Sequence, residues 1–443
     1  MEIDALRDDS TLQNYLSALS DIEFNHGQPR TQDSYVSASE HAKKHTRLLD
    51  SISLLFSFDD DVFAVAFTRQ LSRITIHWAK YSNERVSSTD QAYLDLLFKA
   101  FTAKKYQDDS DFILQVCVLK CKTKVMNRIK KAARLFPPVN DTSILSIRDT
   151  PYTQRLHQRL VRLRVLDSKV SLGEAVTKFL TNLSAISRET SLDELCLIVK
   201  LADHLTPEPQ GVESETDLFN GLQLRAVTKI AAFVRVVKQL LTLCSRWGIT
   251  ELVEERVFPP KQRRVMVHAQ TVQALNSAQA PIPDANQLSH FSQISDHFPK
   301  ANAGVGKSPH EQAAVLCSQH CELTLAHHLI NLGGKGELEI GCSKASCFWC
   351  HAYLVDLNDK LKDSNSKVVL YATHGKRTKG WLLPTEPEFR TVADNVLRYI
   401  GQTVADVFAR IQAEPRKTSD PRSIEDMELE EKPEKNLLIG PSR

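Results

Sequence analysis

The 443-residue chain has no surplus of charge of either sign: 56 Lys and Arg face 54 Asp and Glu, a formal charge of +2. No global attraction to nucleic acid or to an anionic membrane follows from that balance, so any such attraction has to be local. No stretch approaches about 18 uninterrupted apolar residues, which excludes a membrane-spanning helix and a membrane partner. The opening stretch MEIDALRDDSTLQNYL is acidic and lacks both the apolar core of a secretory signal and the Arg-rich character of a transit peptide. A cytoplasmic or nuclear location is therefore expected. In such a reducing compartment the nine cysteines are free thiols or metal ligands rather than a disulfide framework. What is present is an ordinary globular composition, 42% hydrophobic and 25% charged, which excludes a disordered or collagen-like chain. The length suits about two or three domains.

From about residue 40 to 250 the periodicity is helical. Val227, Ile230, Val234, Val237 and Leu241 make one apolar stripe, closed by Gly248 as a C-cap. Ser191 and Glu194 form a capping box before Leu195, Ile198 and Leu201. Residues 1–250 are thus expected to form a mainly helical N-terminal domain, which could bind a protein partner. Two basic stretches lie in it: Lys120, Lys122, Lys124, Arg128, Lys130, Lys131 and Arg134, then Arg155, Arg159, Arg162 and Arg164. A solvated helix face is the ordinary reading of such runs, and phosphate binding the other.

After Trp247 the pattern changes. Arg264 to Gln270 alternates as a strand, and residues 277–311, rich in Ala, Asn, Ser, Gly and Pro, read as a flexible insertion. Beyond it come a helix over Leu323 to Leu332, a strand at Glu337 to Gly341 and a helix from Cys347 to Leu361. A strand at Lys367 to Thr373 and a helix from Phe389 to Ile411 follow. This alternation predicts a layered α/β domain over 251–411, and residues 412–443 read as a disordered charged tail.

The chemistry-bearing residues cluster in this second domain. His320 and Glu322 are two apart, and Cys347 and Cys350 follow 27 and 30 positions after the histidine. One imidazole and two thiolates supply three soft ligands and leave a fourth tetrahedral position open, the ligand count of a catalytic zinc. Cys347, Cys350, Leu354, Leu357 and Leu361 share one helical stripe, so both thiols face inward at a helix N-terminus, where the dipole and free N–H groups favour thiolate. Residues two apart diverge by about 200° within a helix, so His320 must sit at the very start of its helix if Glu322 is to approach the same point. A carboxylate near the metal that is not itself a ligand is what hydrolytic deamination needs as a proton shuttle, and H-x-E followed by P-C-x-x-C is the zinc-deaminase signature, matched here except at the proline.

The stretches QHCELTLAHHLI, EIGCSKASCFWC and THGKRTKGW resemble the fungal nucleic acid/nucleotide deaminase-like family of the cytidine deaminase-like superfamily. The diagnostic piece is Gly341-Cys342-Ser343-Lys344 running into Cys347-x-x-Cys350, with His374-Gly375-Lys376, Trp381 and Pro384 following. The resemblance implies a three-layer α/β/α domain with a mixed sheet, Zn2+ held by His320, Cys347 and Cys350, and Glu322 as the catalytic proton shuttle. It further implies a nucleotide or nucleic acid substrate. Ser346 stands where the wider superfamily has proline, and can cap the helix. Cys321 stands where a small residue such as alanine is usual.

Competing patterns fit less of the sequence. Cys347 to His351 also reads C-x-x-C-H, but haem attachment needs export and a redox thiol pair ignores His320 and Glu322. Ala301 to Ser308 lacks the first glycine and the strand context of a phosphate loop. His268 lies on a strand pattern with glutamine two residues on, and reads as structural. Adjacent His327 and His328 point to different helix faces and should not ligate as a pair. Cys342 reads as a buried small hydrophobe rather than a fourth ligand. Lys344 and His374 border the expected pocket and are candidates for substrate contact. The functional alternative to a deaminase is a catalytically inactive, zinc-stabilised protein-interaction scaffold.

Overall fold

The computed structural model describes residues 7–22, 30–56, 62–81, 87–103, 110–136, 151–162, 169–206, 219, 221–260, 262–268, 312–374, 378 and 380–413. The insertion expected at 277–311, the loop 301–308 and the tail beyond 413 lie outside them. Helix α1 (Asp9–Ile22) is followed by a short strand β1 (Arg30–Thr31) and by α2 (Glu40–Leu55), whose N-cap Ser39 accepts the Ala42 N–H. A hairpin of β2 (Phe63–Gln70) and β3 (Arg73–Lys80) comes next. Among the described residues helices follow: α3 (Ser88–Thr102), α4 (Ser110–Lys120), α5 (Lys122–Ala133), α6 (Pro151–Arg162), α7 (Leu172–Ser184), α8 (Leu192–Leu205) and α9 (Gly221–Arg246). The remainder alternates: β4 (Glu251–Arg256), β5 (Arg263–His268), β6 (Gln312–Cys317), α10 (Cys321–Asn331), β7 (Gly336–Glu339), β8 (Gly341–Cys342), α11 (Phe348–Leu361), β9 (Ser366–Val369), β10 (Ala372–Thr373) and α12 (Arg390–Ala413).

The helical features read from the sequence form as expected. Ser191 and Glu194 make the capping box of α8, and the α9 stripe is buried at Val227, Ile230, Val234 and Val237. Gly248 takes a φ of +59° after that helix, a conformation that glycine adopts without steric cost. The hairpin at 63–80 differs from the helical reading of that stretch. Phe63 and Val65 on β2, with Ile74, Ile76 and Trp78 on β3, enter the core shared by α2 to α9, whereas Ala64, Ala66 and Ala79 enter the core around α10 and α11. Both faces of the hairpin are buried, and β2 opens with the continuous apolar run Phe63 to Phe67, which does not distinguish a strand from a buried helix; β3 does alternate, with Ile74, Ile76 and Trp78 between Thr75 and His77, a strand signal that the helical reading passes over.

The hairpin is also the middle of a mixed sheet with the order β4-β3-β2-β8. β3 pairs with β4 in parallel, and β2 pairs antiparallel with β3 and β8. Only Ile340 separates β7 from β8, and its N–H still donates to Val369 at 3.0 Å, so the same extended run pairs with β9 in its first part and β2 in its second. β5 and β6 form a separate antiparallel pair. The second core is completed by Leu12, Tyr15, Leu16 and Leu19 of α1 and by Val392, Val396, Leu397 and Ile400 of α12. The architecture is helix-rich with a mixed sheet, and no helix of the described residues is long and apolar enough to cross a membrane.

The basic stretches divide. Lys124 is buried, Arg128 donates to the Lys229 carbonyl and lies over the Phe233 ring at 5.3 Å, and Lys120 pairs with Asp90. Burial pushes Arg128 down to about 10. Three of the seven residues of the first run thus serve packing and pairing within the helical part rather than one open cationic face.

Candidate metal centre

His320 is the N-cap of α10, with extended backbone (φ −69°, ψ 146°), and Glu322 lies in the first helical turn. Because His320 stands outside the helical repeat, its ring and the Glu322 carboxylate converge despite being two residues apart. His320 Nδ1 and Glu322 Oε1 are 3.8 Å apart. Cys347 is likewise the N-cap of α11, and its Sγ accepts the Cys350 N–H at 3.4 Å. The helix is capped by the thiol itself, not by Ser346 as expected. Ser346 is instead pinned outside it: its Oγ accepts from Gln32 Nε2 at 2.7 Å and donates to the Ala372 carbonyl at 3.3 Å.

The two helix starts bring His320, Cys347 and Cys350 together, with their potential ligand atoms all within 4.8 Å of one another. Cys350 Sγ is 3.3 Å from His320 Nδ1. Tetrahedral zinc bound by nitrogen and sulfur has ligand–ligand edges of about 3.5–3.8 Å, and the Cys350–His320 edge lies within a few tenths of an ångström of that range. The outer contacts also suit a metal thiolate. Trp381 Nε1 donates to Cys350 Sγ at 3.2 Å, and the Tyr81 ring stands edge-on to His320 at 5.2 Å between centroids. Donors of this kind orient sulfur ligands and spread their charge. Cys342 is half-buried and does not join the ligand group, so the fourth position is not closed by it.

The electrostatics match the donor chemistry. Burial alone would push His320 down, but the Cys347 thiolate and then Glu322 outweigh it and raise the imidazole to about 10. Burial would push Glu322 up, yet the adjacent His320 holds it down at about 2. The Cys347 thiol is held well below its usual range: burial opposes this, but the Cys350 hydrogen bond and the His320 charge prevail. Burial and the neighbouring Cys347 charge push Cys350 well up. A proton on His320 and a negative charge on Cys347 thus occupy the place where a cation would compete for the same lone pairs.

Lys344 lies exposed in the loop between β8 and α11, and the His374 N–H donates to the Ser346 carbonyl at 2.9 Å, one residue before Cys347. Both stand beside the cysteine loop. Residues that spacing did not single out complete the surroundings. Gln13 of α1 holds the Trp381 segment from both sides, donating to the Trp381 carbonyl at 2.7 Å and accepting the Gly380 N–H at 2.8 Å. Gly380 needs to be glycine, with a φ of +81° and only 2.7 Å from its would-be Cβ to the Leu316 carbonyl oxygen. Gln13, Gln32 and Tyr81 reach this site from sequence positions more than 200 residues away, and no local motif marks them. His327 and His328 do face different partners: His327 stacks on Phe389 and lies 3.0 Å from the Tyr353 hydroxyl, while His328 turns to His77.

No curated protein and no solved structure matches the chain. A family model described as OTT_1508-like deaminase matches residues 319–385, the segment that contains His320, Glu322, Cys347, Cys350 and Trp381, and so supports a deaminase domain at this site.

Proposed function

We propose that this site carries out zinc-dependent hydrolytic deamination of a nucleobase in a nucleotide or nucleic acid, within a three-layer α/β/α deaminase-like domain. The observation that carries the reading is the convergence of His320, Cys347 and Cys350 beside a carboxylate that stands 3.8 Å from the imidazole. His320, Cys347 and Cys350 would hold Zn2+, which when bound supplies the Lewis acidity that makes water nucleophilic at neutral pH. Glu322 is the base. Its carboxylate accepts a proton from the attacking water and delivers it to the departing amine, so that water adds and ammonia leaves. Burial of Glu322, 4% exposed, keeps bulk water from competing for that proton. Trp381 holds the Cys350 sulfur in place, and Lys344 and His374, flanking the cysteine loop, are proposed to contact the substrate.

The test is Glu322→Gln, which keeps the shape and the hydrogen-bonding capacity of the side chain but removes the base. Loss of at least about 100-fold in ammonia release, with metal content and unfolding midpoint unchanged, is the expected outcome. A protein that binds zinc but releases no ammonia from any nucleobase substrate, with Glu322→Gln silent in partner binding, would favour the inactive scaffold.

A further inference from the structure

A second cluster of ligating atoms lies further along α10. His77 on β3 and Glu255 on β4 are direct partners in the parallel ladder, so their side chains leave the sheet on the same face. α10 crosses that face and adds His328, eight residues after His320 and therefore about 12 Å further along the helix. His77 Nδ1 lies 3.1 Å from His328 Nε2 and 3.3 Å from Glu255 Oε2, and His328 Nε2 lies 3.5 Å from Glu255 Oε1. Tetrahedral zinc with nitrogen and oxygen ligands at about 2.0–2.1 Å has edges of about 3.3–3.4 Å. The His77–His328 and His77–Glu255 contacts are close to that size, and one carboxylate oxygen with the two ring nitrogens makes a group whose atoms all lie within 4.8 Å of one another.

Hydrogen bonding alone does not account for this triangle. With the carboxylate ionised, protons on both nitrogens set two donors against each other at 3.1 Å. A proton on only one nitrogen leaves the other lone pair facing a carboxylate oxygen, at 3.3 or 3.5 Å. A cation at the centre satisfies all three contacts at once. The outer shell is prepared for it: the remaining nitrogen of His77, Nε2, lies 2.7 Å from Thr68 Oγ1, which can fix the tautomer that leaves Nδ1 free to ligate. His77 is buried at 2% exposure while Glu255 is about half exposed, so the site has a rigid floor and an open side through which an ion and its water can enter.

We infer that His77, Glu255 and His328 form a second divalent-metal site, suited to Zn2+ by its two imidazoles, one carboxylate and compact geometry. It ties β3 and β4 to the helix whose N-terminus presents His320 and Glu322. The site stands on its own residues and does not depend on the deaminase reading.

The test is the zinc content of the full chain, with its affinity for added Zn2+, in the wild type, Cys347→Ser, His328→Ala and the double variant. Two zinc ions per wild-type chain, one in each single variant and none in the double variant are expected. Zinc content in His328→Ala equal to that of the wild type would overturn the second site. Zinc lost only with His328→Ala and unaffected by Cys347→Ser would instead remove the metal from the deaminase reading and leave the second site standing. Glu255→Gln guards against a misfolded His328→Ala: in the Cys347→Ser background it should weaken zinc binding at least 10-fold and abolish the zinc-induced rise in Tm. Unchanged affinity in that variant refutes the site.

Discussion

Replacing Gly341 by alanine puts a methyl group where the backbone of α2 already stands. The new Cβ would lie 2.0 Å from the Leu49 carbonyl carbon and 2.2 Å from the Asp50 nitrogen. A normal carbon contact is about 3.5 Å, so β8 and α2 must part by roughly 1.5 Å. No side-chain rotation relieves this clash, because the obstructing atoms are main-chain. Separation breaks the 2.7 Å bond from the Cys342 N–H to Asp50 Oδ1 and loosens the pairing of Ala64 with Cys342 and Val65 with Gly341. A bond to a buried carboxyl is worth about 1–3 kcal/mol and a ladder bond about 1 kcal/mol, so Gly341→Ala should cost roughly 2–4 kcal/mol. The assay is urea unfolding, with Gly221→Ala as control because nothing lies within 4 Å of its would-be Cβ. β8 runs through a four-residue loop into Cys347, so the same variant should also bind zinc more weakly. A loss of less than about 1 kcal/mol relative to the control would refute the close approach that makes glycine necessary in this motif.

Asp50 provides a pH test of the same contact. Burial holds its carboxyl up at about 7 against the pull of the Cys342 N–H and Arg47. The folded protein thus keeps a proton that the unfolded chain releases near pH 4, and this contribution to stability is lost as pH rises from about 4 through about 7. Asp50→Asn should flatten that slope in unfolding free energy and raise stability at pH 8 by on the order of 1–2 kcal/mol; an unchanged slope would refute it. Asp203 carries the opposite sign. Burial opposes its ionisation, but Lys238 and Arg235, with contacts at 2.8 and 2.9 Å, hold it below its usual range. Its contribution is present above about pH 4 and lost as the solution is acidified further, and Asp203→Ala should cost about 3 kcal/mol at pH 7. Equal urea midpoints for variant and wild type at pH 7 would contradict that. Trp381→Phe removes the N–H donated to Cys350 Sγ and should weaken zinc binding 10- to 100-fold in a chelator competition, on the order of the effect of other outer-shell metal contacts. An unaltered zinc affinity would show that this hydrogen bond does not tune the sulfur.

The grouping of His320, Glu322, Cys347 and Cys350 was legible because its information is local. H-x-E and C-x-x-C each sit within one helix start, where side-chain direction follows from the backbone repeat, and the requirement that His320 lie before its helix could be deduced from the two-residue spacing alone. The long helices were legible for the same reason: α8 and α9 carry their caps and stripes in consecutive residues. The hairpin at 63–80 was only half legible: Phe63 to Phe67 is a continuous apolar run without contrast between successive positions, whereas the alternation of Ile74, Ile76 and Trp78 with Thr75 and His77 was present and was passed over. Ser346 was misread as a cap because a serine before a helix usually serves as one; here Gln32 and Ala372, remote in sequence, take both of its hydrogen-bonding roles.

The sequence by itself determined the donor set His320, Cys347 and Cys350, the carboxylate beside it, and the helical character of much of the chain, since each depends on residue type and short spacing. Only the tertiary structure decided that α1, β1 and the hairpin help to enclose that site, that Gly341 lies against α2, and that His77, Glu255 and His328 meet. Those contacts join residues separated by as much as 368 positions, as between Gln13 and Trp381. Their alignment depends on strand register and helix placement, which no local pattern encodes.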